Sequence, residues 1–106
     1  MTNRTYVGKS RIHGRGLFAA TFINAGETSN TSYLLITKAA VPREFARHVY
    51  HLDDGRTALP CGDGIFVNHA DIPNSWAKVD LRSRTVSVIA LHDIRSDEEI
   101  TINYGG

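Results

Sequence analysis

Two stretches of this sequence place polar residues where packing alone gives them little to do. In the first, the apolar run Ile65, Phe66 and Val67 is followed at once by Asn68 and His69, and Pro73 then fixes a turn that the side chain of Asn74 can close. A buried run ending in an amide and an imidazole brings hydrogen-bonding groups to the edge of the interior, as a binding site requires. In the second, EEITINYGG, Ile100 and Ile102 alternate with Thr101 and Asn103, the period of a strand, and Tyr104 is followed by two glycines. The phenol therefore stands at a strand end.

Other combinations point to other chemistry. His48 and His51 could hold a metal with Asp54 or Cys61; neutral surface histidines are the simpler expectation, and no metal is expected. Glu98 and Glu99 resemble a carboxylate pair for acid–base work, but neighbours on a strand point to opposite faces and cannot share a site. Gly14 and Gly16 form a lone GxG, which in a dinucleotide-binding turn needs a third glycine and a following helix. Position 19 is Ala and LFAATFI is rich in β-formers, so the residues alone read as a hairpin turn with positive φ.

Three of these pieces occur together in one order: GRGLFA at Gly14 to Ala19, NHxxxPN as Asn68, His69, Pro73 and Asn74, and EITINYG as Glu99 to Gly105. In that order the chain resembles SET-domain protein-lysine methyltransferases over nearly its whole length. The resemblance implies S-adenosylmethionine as cofactor, held by Asn68 and His69 partly through backbone atoms and lined by His13, Gly14, Arg15 and Gly16, where a side chain would obstruct the cofactor. Tyr50, eighteen residues before Asn68, stands near the position where the family sets a tyrosine against the cofactor. Tyr104 is implied as the catalytic tyrosine, orienting amine and methyl. Ile102, two residues before it, is implied to line the substrate channel at the family's Tyr/Phe switch, and an aliphatic side chain there implies di- or trimethylation. The resemblance further implies a knot-like threading of the C-terminal strand beneath the NHxxxPN segment.

Departures from the family pattern carry expectations of their own. Ala70 and Asp71 replace a common Ser-Cys pair, and TSNTS at positions 28–32 is more polar than the usual strand there, which questions its pairing. Family members usually continue beyond the tyrosine motif with a segment that closes the lysine channel. The expectation is that a second subunit, in a homodimer, or the substrate protein supplies it, or that the channel wall does not exist here.

The elements that must position these residues can be read along the chain. Arg4 to Ser10 reads as a short strand, Ile12 to Gly16 as a tight turn into Leu17 to Ala20, and Asn24 to Gly26 as the next turn. Glu27 to Thr37 ends in the strand-like run Tyr33 to Ile36. Pro42 opens one helix, with Phe45, Val49 and Leu52 at i, i+4 and i+7, ended by Asp53, Asp54 and Gly55. Ala77–Arg82 and Thr85–Leu91 alternate around Ser83 and Arg84 as a hairpin whose Val79, Leu81, Val86, Val88 and Ala90 should face the core. The fold class predicted is mainly β with one short helix, α+β by count, as a single SET domain over residues 1–106.

Composition narrows the function classes. A stretch of 106 residues is expected to form one domain, and 12 basic against 11 acidic residues, a formal net charge of +1, supply no broad basic face for nucleic acid. No apolar N-terminal core and no apolar run of about 18 residues is present, so a signal peptide and a membrane span are not expected. The expected location is intracellular, cytoplasmic or, in a eukaryote, nuclear. Cys61 is the only cysteine, which excludes an intrachain disulfide and a zinc site built on several thiolates. The reading that joins these points is S-adenosylmethionine-dependent methyl transfer to the amine of a lysine in a protein or peptide. A SET-like module that holds cofactor or peptide without turnover, and a small metal-dependent hydrolase using the histidines, are the alternatives.

Overall fold

The computed structural model describes residues 4–52 and 54–104; Asp53, at the expected helix end, and Gly105 and Gly106, after Tyr104, lie outside the described residues. Nine strands form among the described residues: β1 (Thr5–Lys9), β2 (Arg15–Ala19), β3 (Thr28–Thr37), β4 (Tyr50–His51), β5 (Arg56–Pro60), β6 (Asn68–His69), β7 (Ser75–Asp80), β8 (Thr85–Ala90) and β9 (Glu99–Ile102). They make a four-stranded sheet in the order β1-β2-β9-β6 and a five-stranded sheet in the order β4-β5-β3-β8-β7. The expected mainly β architecture is what forms.

Alternation in the sequence becomes burial in the core. Leu17, Ala19, Ile23, Val67, Ala90, Ile94, Ile100 and Ile102 form one buried cluster, and Tyr33, Ala58 and Val86 form a second beneath the larger sheet. Burying one aliphatic side chain of this size contributes roughly 1.5–3 kcal/mol, so the first cluster is what anchors β2 and β9 against the rest. β9 lies between two neighbours, antiparallel to β2 and parallel to β6. The last described strand is therefore a central one, as a knot-like placement of the C-terminus requires.

Three local expectations change. Residues 28–32 do pair: β3 runs through TSNTS in register with β8, from Thr28 opposite Ile89 to Ser32 opposite Thr85. Polarity is no obstacle there because this half of β3 is largely solvent-facing, β-branched Thr suits a pleated surface, and Ser87 Oγ donates to Asn30 Oδ1 at 2.7 Å across the pair. The helix after Pro42 is a 3-10 segment, Arg43–His48, that stops before Val49. Tyr50 and His51 instead pair with Ala58 and Thr57, and Leu52 N–H donates to Arg56 C=O to close the hairpin at Gly55. A two-turn helix is costly to nucleate, and a ladder to an already buried β5 satisfies the same backbone groups while burying Val49. Leu81 lies in the β7–β8 turn, not on its core face, and is 52% exposed; Asp80 Oδ1 accepts from the N–H groups of Arg82 and Ser83 and ends the strand two residues earlier than alternation suggests.

Candidate active site

Asn68 is the most constrained polar residue of the site. β6 holds it opposite Thr101 of β9, and the side chain is 1% exposed. Its Nδ2 lies 3.0 Å from Arg15 C=O, 3.1 Å from His13 C=O, 2.9 Å from Glu99 Oε2 and 3.2 Å from Ser10 Oγ. The other end differs sharply: Oδ1 is buried and finds no donor among the described residues. A buried acceptor left unpaired costs about 1–3 kcal/mol, so the position is shaped for a donor that the described chain does not supply.

Ser10 and Glu99 complete this arrangement, and the sequence reading had not assigned either a role. Ser10 Oγ donates to the Glu99 carboxylate at 2.7 Å and accepts from the N–H groups of Ile12 and His13 at 2.9 and 3.3 Å, which shapes the loop carrying His13, Gly14 and Arg15. Glu99 faces inward, whereas Glu98 uses Oε1 on the N–H of Arg95, so the two acids do part to separate surroundings. The signal for Ser10 was present as a serine two and three residues before backbone groups it can cap. The glycines acquire physical reasons distinct from cofactor clearance. Gly14 has φ of +48°, and at Gly16 an added Cβ would sit 2.8 Å from Glu99 Cδ and 3.2 Å from Asn68 Nδ2.

Tyr104 is brought to the same region by the segment that clasps β9. Asn74 acts as a side-chain extension of the sheet: its Nδ2 donates to Glu99 C=O at 2.8 Å and its Oδ1 accepts from Thr101 N–H at 3.0 Å. Ala70 N–H donates to Ile102 C=O. His69 then takes up Tyr104, its Nδ1 accepting the Tyr104 N–H at 3.1 Å while Nε2 donates to Asp71 Oδ1 at 3.0 Å. Both ring nitrogens are used, so within the chain His69 serves to hold the tyrosine.

The Tyr104 hydroxyl donates to Val67 C=O at 2.7 Å, and its ring packs at 5.1 Å from Tyr50 and 6.3 Å, edge to face, from His48. Burial, with the neighbouring Tyr50, holds the Tyr104 hydroxyl far above the ordinary tyrosine range, and burial pushes Tyr50 up to about 12. Both remain neutral phenols. Burial pushes His48 down instead, and its Nδ1 is enclosed without a partner among the described residues. Ile102 is 1% exposed and belongs to the core cluster on which Tyr50 and Tyr104 rest.

A cleft lined by His13, Gly14, Arg15, Glu44, Phe45, His48, Ile65 and Phe66 adjoins this group. The structure thus brings the 13–16 loop, Asn68, His69, Tyr50 and Tyr104 together, from four separate parts of the sequence. Among the described residues no three of His, Cys, Asp and Glu come together as metal ligands, and no helix is long and apolar enough to cross a membrane.

Known proteins resemble this chain in sequence and shape. The family model of the SET domain matches residues 14–105. The Schizosaccharomyces pombe histone-lysine N-methyltransferase specific for H3 lysine-37 is 31% identical over 101 residues, covering 87% of this chain and 67% of that protein. The Drosophila virilis histone-lysine N-methyltransferase trithorax is 31% identical over 119 residues, covering 97% of this chain but only 3% of its own length. A crystal structure of a candidate histone methyltransferase from Plasmodium falciparum superposes with a TM-score of 0.82 at 30% identity, over 99% of this chain and 96% of that one. A chain of Chaetomium thermophilum Polycomb Repressive Complex 2 superposes with a TM-score of 0.77 at 29% identity, over 95% of this chain and 15% of that one. With the clasped tyrosine, the buried asparagine and these likenesses in hand, this chain belongs to the SET-domain family of protein-lysine methyltransferases.

Proposed function

We propose that the chain moves methyl groups from S-adenosylmethionine to the side-chain amine of a histone lysine, leaving a di- or trimethylated product. The observation that carries the reading is the pairing of a neutral, fully committed Tyr104 hydroxyl with an Asn68 Oδ1 that lacks a donor. The residues fit the cofactor: Asn68 Oδ1 would accept from its amino-acid ammonium, and the cleft beside the 13–16 loop would take the remainder. When bound, the cofactor supplies an electrophilic methyl on a sulfonium.

The chain's own part is positioning. Tyr104 spends its single proton on Val67 C=O, so its oxygen has only lone pairs left for an incoming amine N–H. That contact orients the nitrogen for an in-line displacement, where alignment supplies most of the rate. A phenol held this far above its ordinary range does not work as a tyrosinate base, so the lysine proton leaves to solvent before transfer. Tyr50 packs against the Tyr104 ring, tilted by 32°, and helps hold it in place. Ile102, beneath them, has no hydroxyl to anchor a water against the amine, which supports room for a methylated lysine. The names of the relatives support a histone substrate, and in a eukaryotic cell such a substrate would put the activity in the nucleus.

Asn68→Ala tests the cofactor half of this reading by calorimetry. Removing the acceptor should weaken S-adenosylmethionine binding by about tenfold or more in a variant that melts cooperatively. An unchanged dissociation constant would assign Asn68 to the loop alone. Tritiated methyl transfer to histone peptides tests the other half, and binding without transfer would convert the reading into that of a cofactor-holding module.

A further inference from the structure

The two ends of an asparagine amide have nearly the same shape and opposite hydrogen-bonding character, so which end faces a ligand decides what the ligand must be. At Asn68 that choice is made by oxygen atoms that can only accept: Glu99 Oε2 at 2.9 Å and the carbonyls of Arg15 and His13 at 3.0 and 3.1 Å all surround Nδ2. Turning the amide over would set Oδ1 against all three. Two of these acceptors are backbone and come with the 13–16 loop. The third carries a full negative charge and is a side chain, Glu99, itself held by Ser10 Oγ at 2.7 and 2.8 Å to its two oxygens. Gly16 leaves the space in which carboxylate and amide meet.

We propose that Glu99 is a positioning residue that fixes the orientation of the Asn68 amide, so that the site presents an acceptor and selects a ligand carrying an ammonium donor. The inference rests on the cofactor reading given above and extends it to a residue that touches Asn68 instead of the ligand. The other end of the amide supports it, since Oδ1 is enclosed and has no donor among the described residues. The Glu99 charge also polarises the amide towards Nδ2–H donation, which strengthens Oδ1 as an acceptor in a poorly solvated place. Glutamine at position 99 would keep the size and remove the charge, and its own amide could rotate to offer N–H; turning the Asn68 amide over would then meet only the two neutral backbone carbonyls and cost less than against a carboxylate.

The test compares two probes, S-adenosylhomocysteine and its analogue lacking the α-ammonium, by calorimetry on the whole chain. The unsubstituted protein should bind the ammonium-bearing probe about 10- to 100-fold more tightly, the range for a hydrogen bond to a charged group. In Glu99→Gln, S-adenosylhomocysteine should weaken while the des-amino analogue binds as before, bringing the ratio to within about threefold. A role in folding alone would weaken both probes equally and keep the ratio, which overturns the proposal. The melting temperature shows whether Glu99→Gln is folded; if it is not, Ser10→Ala, which frees the carboxylate to rotate, decides by the same ratio, with an unchanged ratio again overturning the idea. An unsubstituted chain that binds neither probe removes the cofactor reading and this proposal with it, whereas normal discrimination that survives in the variants removes only the role of Glu99.

Discussion

Replacing Tyr104 with Phe deletes one oxygen from a place where its consequences for stability and for rate can be separated. The ring keeps its packing against Tyr50 at 5.1 Å and against the core cluster, and the backbone N–H stays on His69 Nδ1. What is lost is the 2.7 Å bond to Val67 C=O, which leaves a carbonyl short of a donor at a cost of about 1 kcal/mol. For a domain of this size that is a fall in melting temperature of about 4–8 °C. The rate effect should be larger, because the hydroxyl is also the group that orients the amine, and losing one oriented contact of this kind typically costs about 100-fold or more. Single-turnover transfer to a histone peptide at saturating cofactor reads the chemical step, and calorimetry with S-adenosylhomocysteine should show its affinity within about twofold of the original, since the oxygen lies on Val67 and not on Asn68. Transfer within a few fold of normal, in a variant with the expected thermal shift, would refute the assignment of Tyr104 as the catalytic residue.

Gly16→Ala should destabilise the chain by about 1–3 kcal/mol and weaken cofactor binding together, because the added methyl displaces a Glu99 carboxylate held by Ser10 and Asn68; denaturant unfolding beside calorimetry checks both. His48 has a folded-state affinity for protons below its unfolded one, so the unfolded chain binds more protons as pH falls from about 6.5 to the lower folded value, and stability should fall across that window and level off above it. His48→Gln should flatten that part of the profile in thermal melts, and an unaltered slope would point to other groups. Ile102→Tyr should shift the product towards monomethyl-lysine in mass spectra of a peptide driven to completion, with an unchanged di- or trimethyl product counting against Ile102 as the determinant; since Ile102 is buried, its melting temperature is measured alongside.

Much of the site was legible in the sequence because its residues are tied to element ends that local pattern fixes. Strand alternation placed Tyr104 just past the end of β9, the apolar run placed Asn68 at the start of β6, and Gly14, at positive φ, marked the turn before β2, whereas Gly16, expected in the same turn, lies within β2 without positive φ. Their order, with Pro73 and Asn74, carried the family. The mainly β class followed from the same periodicity, and β7 and β8 formed the hairpin that alternation indicates.

What the tertiary structure alone decided are the contacts between positions far apart in the chain. The helix expected after Pro42 gave way to β4 because a partner strand, β5, offered its backbone a ladder that no local pattern announces. The polar 28–32 stretch became a strand because β8 lies beside it, a pairing that propensity does not contain. Glu99 was set aside in the sequence as half of an adjacent acidic pair, and the alternation that separates it from Glu98 is also what turns it inward onto Asn68 and Ser10, 31 and 89 residues away. Likewise the Tyr104 proton goes to Val67 C=O, 37 residues distant. Period and turn chemistry act over a few residues, so they fix which side chains stand at an edge; which acceptor or donor each meets depends on how the two sheets close around β9.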